Sequence, residues 1–116
     1  MSSGNGVYVF SHTWTGFSRD SERREHYGPA HKPVALAEWC IDKAGVKEGE
    51  IGVDTYCGAS AWVLVAAKRL GLQAVGCEMV EKYAEIAARR LQATAAVVRN
   101  ADSAKQGDQL AFEIGE

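Results

Sequence analysis

From residue 33 onward the chain switches its hydrophobic period back and forth between that of a helix and that of a strand. This alternation limits the fold more than any other feature. Pro33 suits the first turn of a helix, where its missing N–H has no partner to lose. Leu36, Trp39, Cys40 and Lys43/Ala44 follow at helical spacing, and Gly45 supplies a stop. After the polar turn "KEGE", "IGVDTY" reads as a buried strand. Ser60 to Leu70 reads as a helix with Trp62, Val63, Val65, Ala66 and Leu70 as its apolar members, ended by Gly71. "LQAVGCE" is a second strand. Val80 to Gln92 is a further helix, with Val80, Tyr83, Ile86, Ala87 and Leu91 on one face and a Glu85–Arg89 pair on the other. "AAVV" at 95–98 is a candidate third strand, and the tail "SAKQGDQLAFEIGE" is weakly patterned. Strand–helix–strand–helix–strand with short connections implies an α/β fold, with a parallel sheet of about three strands, flanking helices and right-handed crossovers.

The preceding residues read differently. "VYVF" at 7–10 is β-branched and aromatic, a short N-terminal strand candidate. Residues 11–32 are polar and aromatic without a sustained period, and a loop of that length in a small domain is often functional. The expected organisation is a flexible head over 1–32 and an α/β domain over 33–116, together one domain of 116 residues. A net charge of −2 excludes a strong global field toward nucleic acid or an anionic membrane, so any DNA contact must come from a local patch. The apolar stretches are too short to span a bilayer. Three cysteines (Cys40, Cys57, Cys77) without a CxxC pair, and no apolar leader, point to a reducing cytosol.

The head holds His12, His26 and His31, at spacings of 14 and 5 that match no common zinc pattern. Its Trp14, Arg19, Arg23 and Arg24 are candidates for contact with nucleic acid or with a protein partner, since both favour arginines among aromatics. Asp20, Glu22 and Glu25 nearly cancel that charge, which favours a solvated surface loop.

In an open parallel sheet, ligands bind beyond the carboxyl ends of the strands. Asp54 ends the first strand and Glu78 the second, 78 − 54 = 24 positions apart. A separation of about 20 lets a second acid reach a ribose in dinucleotide folds. A carboxylate can accept both hydroxyls of a vicinal diol, and Gly58 leaves room for close backbone approach. The plainer alternative has Asp54 capping the following helix and Glu78 facing solvent.

Three blocks in order carry a resemblance: "HKPVALAEWCI" (31–41), "EGEIGVDTYCGASAWVLVAAKRLG" (48–71) and "AVGCEMVEKYAEIAARRL" (74–91). Together they resemble the S-adenosylmethionine-dependent amino DNA methyltransferases, which modify adenine N6 or cytosine N4. The closer likeness is to the subgroup whose cofactor motifs come last, with its "QKP" helix start, "LDPFxGSGTT" loop and "GIEI" strand end. The likeness covers residues 27–92, and "YVFSHTWTGFSRDSE" is loosely similar to what precedes the QKP block in phage-borne members. It implies a truncated Rossmann-like methyltransferase sheet that binds S-adenosyl-L-methionine. On that likeness Lys32 and Pro33, with His31, close the pocket near the methionine end. Asp54, Tyr56 and Gly58 line the amino-acid moiety, Glu78 holds the ribose, and Met79 packs beside the adenine.

The chain departs from the family's pattern in two places. Thr55 replaces a proline, and Ala59-Ser60-Ala61-Trp62 stands where the family has Ser-Gly-Thr-Thr. The family's catalytic loop, an Asp, Asn or Ser before Pro-Pro and an aromatic, has no counterpart, because the two prolines are Pro29 and Pro33. Two functions follow from the resemblance. One is the cofactor-binding part of a DNA methyltransferase whose catalytic part lies elsewhere. The other is a non-catalytic relative that binds a partner, such as a phage or mobile-element inhibitor of host defence. Either way an open edge on the first cofactor strand calls for cover, from "VYVF", a protein partner or a second copy of the chain.

Overall fold

The computed structural model describes residues 6–15, 17–28 and 30–95, and the backbone of 111–114. Helix α1 spans Val34–Ala44 behind Pro33, whose φ of −71° and ψ of 135° lead the chain into the first turn. It ends at Gly45, left-handed at φ 65°, whose N–H returns to the Asp42 carbonyl while Val46 N–H returns to Ile41. Strand β1 is Ile51–Asp54, helix α2 Trp62–Arg69, strand β2 Gln73–Glu78 and helix α3 Glu81–Ala93. β1 and β2 pair in parallel with Val53 opposite Val75 and Asp54 opposite Gly76. A short strand β3, Ala111–Ile114, lies parallel along the far side of β2.

The core is built from small residues. Val34 and Ala37 of α1, Leu64 to Ala67 of α2, Ala74 of β2, and Ala87 and Leu91 of α3 bury together with Cys57 and Ala61. Alanines on the facing helices allow close approach, and Leu64, Val34 and Cys57 are the largest side chains wholly enclosed. Trp62 and Val63 only pack against this core from its edge. Lys68 ties the two helices further by donating to the Leu91 carbonyl at 2.8 Å.

Side chains alternate across a strand, and the helix-side positions of β1 are Gly52 and Asp54. Ile51 and Val53 therefore share the other face, where they are 60% and 65% exposed. Parallel sheets normally cover both faces, so this apolar face is unpartnered among the described residues.

Two sequence expectations need correction, and a third lies largely outside the described residues. Residues 7–10 form no strand: Val7 and Val9 stand in solvent, and the backbone finds no ladder. Instead Phe10 stacks on His12 and Trp39 of α1 at ring separations of 5.5 and 5.3 Å, so side chains rather than strand pairing hold the segment. The segment consequently does not cover the edge of β1. The expected strand at 95–98 falls largely outside the described residues, and the strand after α3 lies at Ala111–Ile114, in the tail that looks weakly patterned. Glu85 and Arg89 form no ion pair, since both reach into water, where such a pair gains little.

Candidate functional site

A cavity of about 400 Å³ opens beyond the carboxyl end of β1. Lys32, Asp54, Tyr56, Gly58, Ser60 and Trp62 line it, together with Cys57. The loop from Asp54 to Ala61 makes its floor. Asp54 Oδ1 accepts the Tyr56 N–H at 3.1 Å, which bends the chain away from the strand. Cys57 N–H donates to the Cys77 carbonyl at 3.0 Å, pinning the loop to the end of β2. Gly58 is left-handed at φ 64°, a conformation that favours a residue without Cβ.

Glu78 neither faces away nor floats free. Its Oε2 accepts the Gly58 N–H at 2.9 Å and its Oε1 accepts the Val80 N–H at 3.0 Å. Two backbone donors thus fix the carboxylate plane. A carboxylate offers about four lone-pair sites, so two stay open for a diol. Asp54 and Glu78 flank one loop from adjacent strand tips, and Asp54 does not cap α2. Between them the Cys57 thiol is pushed up to about 11 by burial, then by the charges of Asp54 and Glu78. It stays protonated at neutral pH and serves as packing rather than as a nucleophile.

The remaining expected residues are placed unevenly. Pro33 is buried behind the cavity wall, where it starts α1. Met79 is 83% exposed and does not line the cavity; Glu78 does not line it either, and reaches it only through the lining residue Gly58. Trp62 does line it, while also packing on the core. The left-handed residue at the entrance to α2 is Ala61, at φ 45°, one position after Ser60, where the family has its second glycine. An L-residue there costs about 1–2 kcal/mol, a strain held at the loop that shapes the cavity.

A buried ionic cluster welds the head to the body. Glu22 Oε2 accepts the Val34 N–H at 2.7 Å, capping α1 from outside, while Oε1 meets His31 Nε2 at 3.1 Å and the Arg90 guanidinium at 2.5 Å. Arg90 also donates to the Ser60 carbonyl at 2.7 Å and to Glu25 at 3.2 Å, and lies over the Tyr27 ring at 4.1 Å. Gly28 then passes so near the cavity loop that a Cβ there would meet Ala59 at 3.0 Å. Trp14 donates its indole N–H to the His31 carbonyl at 2.8 Å, and Arg19 lies over the Trp14 ring at 4.2 Å. Both are engaged within the head; Arg23 and Arg24 are exposed, although Arg23 also donates its Nε–H to the Arg19 carbonyl at 2.9 Å. Among the described residues no cluster of histidine, cysteine and acids is arranged to hold a metal, and no helix is long and apolar enough to cross a membrane.

Comparison with known proteins gives the chain a family. A family model for DNA methylases, the N6 and N4 methyltransferases, matches residues 3–89. The chain belongs to the amino DNA methyltransferase family. The match takes in the head, both strand tips and most of α3. The type II methyltransferase M2.DpnII of Streptococcus pneumoniae is 37% identical over 81 residues. That similarity covers 69% of this chain but only 30% of the pneumococcal protein. No solved structure gives a significant match.

In this methyltransferase-family chain, Arg90 and Glu22 are the structural residues that sequence reading passes over. The available signal was position: Arg90 lies three residues after Ala87 and one before Leu91, on the stripe that faces the core. The cluster also sets a pH dependence. Burial holds His31 below its usual 6.5, only partly opposed by Glu22. Its Nδ1 is enclosed without a partner, so a proton there has no acceptor. Burial pushes the Glu22 carboxyl up, but Val34 N–H, Arg90 and His31 outweigh it and hold it below 4.5. Both groups bind fewer protons folded than unfolded, so stability is full above pH 6.5 and declines as pH falls through that value and then through 4.5. Urea midpoints measured across this range should drop toward acid, and His31→Gln should flatten the upper part of the decline. A midpoint that rises on acidification contradicts the assignment.

Proposed function

We propose that this chain is the S-adenosylmethionine-binding part of an amino DNA methyltransferase. The observation that carries the reading is the convergence of Asp54 and Glu78, from the tips of adjacent parallel strands, on the loop that floors the cavity. The donor set fits the cofactor chemically. Glu78 has lone pairs left for the ribose hydroxyls, Asp54 matches an ammonium, and Lys32 on the cavity wall matches a carboxylate. Asp54 on the wall, with Glu78 held behind the lining residue Gly58, also suits the positive sulfonium, and a cavity of about 400 Å³ lies within the range of small-molecule sites, roughly 300–1,000 Å³. When bound, the cofactor would supply a methyl group activated by that sulfonium. This chain's residues hold and orient the donor. The amino group to be methylated needs a Pro-Pro loop that the sequence does not contain, so another segment or chain must supply it. The unpartnered face of Ile51 and Val53, beside the cavity, is where such a segment fits.

Titration calorimetry with S-adenosylmethionine and with its demethylated product tests the reading. Binding should appear, and Glu78→Ala should weaken it by about 1–3 kcal/mol through the lost hydrogen bonds. Absence of heat at millimolar ligand rejects the proposal, and an unchanged affinity in the variant removes Glu78 from the ribose site.

A further inference from the structure

The head contains a second, solvent-facing arrangement that the cavity does not use. Trp14 and Arg19 form an antiparallel bridge, closed by Thr15 N–H to Ser18 O at 2.8 Å and Asp20 N–H to Thr13 O at 2.9 Å. The Thr15 hydroxyl accepts the Phe17 and Ser18 N–H groups at 3.1 and 2.8 Å. Asp20 accepts the Thr13 N–H at 2.7 Å, which holds its carboxyl below the usual range, with smaller help from His12 and Arg23. Arg19, stacked on Trp14 and donating to the Glu25 carbonyl at 2.8 Å, locks the base of this hairpin. At the tip Phe17 is fully exposed. Phe17 thus offers an aromatic ring that stacking on a ligand would take out of water.

Beside it lies a polar groove of about 270 Å³ lined by Phe17, Ser18, Arg19, Asp20, Arg23 and His26. The charges of the segment are sorted. Glu22 turns inward onto Arg90, and Glu25 reaches Arg90 while staying 44% exposed. Asp20 accepts the Thr13 N–H but remains in water with Arg23 and Arg24. Asp20 therefore offsets one of the two exposed arginines, and the pair still leaves this surface a net positive charge.

We propose that Phe17, beside the Trp14–Arg19 bridge, and the arginines after it form a DNA-contact surface, with Phe17 stacking on a base and Arg23 and Arg24 on backbone phosphates. Cations beside an exposed ring match the two chemical faces of a nucleic-acid strand. The proposal deepens the methyltransferase reading and rests on it for the choice of DNA over other polyanions.

Fluorescence anisotropy of the full chain with labelled oligothymidine and with duplex DNA tests it. Phe17→Ala should weaken oligothymidine binding on the order of tenfold, with a smaller effect on duplex. Arg23→Ala with Arg24→Ala should weaken both, and should reduce the slope of log affinity against log salt by about 2. Equal slopes in variant and parent, or no binding by the parent at low salt, overturns the proposal. Calorimetry on the same proteins separates the two readings. Loss of DNA contact with cofactor binding retained is the expected result for these variants. A parent that binds DNA through the hairpin yet takes no cofactor rejects the cofactor reading alone.

Discussion

Replacing Arg90 with methionine is expected to lower the unfolding free energy by about 3–5 kcal/mol, the range for breaking a buried charge pair. The Arg90 side chain is 6% exposed and that of Glu22 10%, so neither charge has water to fall back on. The guanidinium serves four groups at once: the Ser60 carbonyl, Glu22, Glu25 and the Tyr27 ring. Methionine fills the volume but leaves the Glu22 carboxylate with only Val34 N–H and His31. The contact with Glu25, which is 44% exposed, contributes little to the loss. Adding Glu22→Gln to Arg90→Met should recover part of the loss by removing the stranded charge, although the α1 cap weakens. Arg90→Lys keeps the charge without the planar array of donors, and should fall between. Urea denaturation of the parent, Arg90→Met, Glu22→Gln and the double variant gives the cycle, and limited proteolysis reports whether the head is released first. A single-variant loss below about 1 kcal/mol, as for exposed pairs, would mean that the cluster does not hold head to body.

The same residues show what sequence reading can and cannot reach. β1, β2 and the three helices were legible because their periods are local, and Gly45 and Gly71 mark their stops in plain text. Asp54 and Glu78 were legible as strand-tip acids for the same reason. Their partners were not, because Gly58 is 20 positions from Glu78 and only the folded loop aims its N–H. Arg90 is the extreme case. Its acids lie 68 and 65 positions upstream, and a pattern that scores arginine as polar assigns it to the outer face of α3. "VYVF" erred in the opposite direction. β propensity describes a fit to a half-buried pleated surface, and no such surface lies within reach of residues 7–10. Alternation did operate there, but to bring Phe10, His12 and Trp14 into one aromatic row against α1.

Gly76 is the second position where one atom should matter. It sits in β2 opposite Asp54, and a Cβ built on it would lie 2.4 Å from Leu64 Cδ1 and 3.3 Å from Cys57 Cβ. Glycine inside a strand weakens it unless something must come close, and here that something is α2. Leu64 is 1% exposed and cannot swing aside. Gly76→Ala therefore overpacks the contact, at a cost of about 1–3 kcal/mol. The alternative is for α2 to lift from the sheet. That movement would carry the Cys57–Ala61 loop with it, so the variant should lose cofactor affinity as well as stability, although Gly76 touches no cavity. Leu64→Ala alone should cost about 2–5 kcal/mol by leaving a void, but combined with Gly76→Ala the two losses should fall short of their sum, since each change makes room for the other. Strict additivity in chemical denaturation, or full stability in Gly76→Ala, would show that helix and sheet are not in the contact that sets the depth of the cavity.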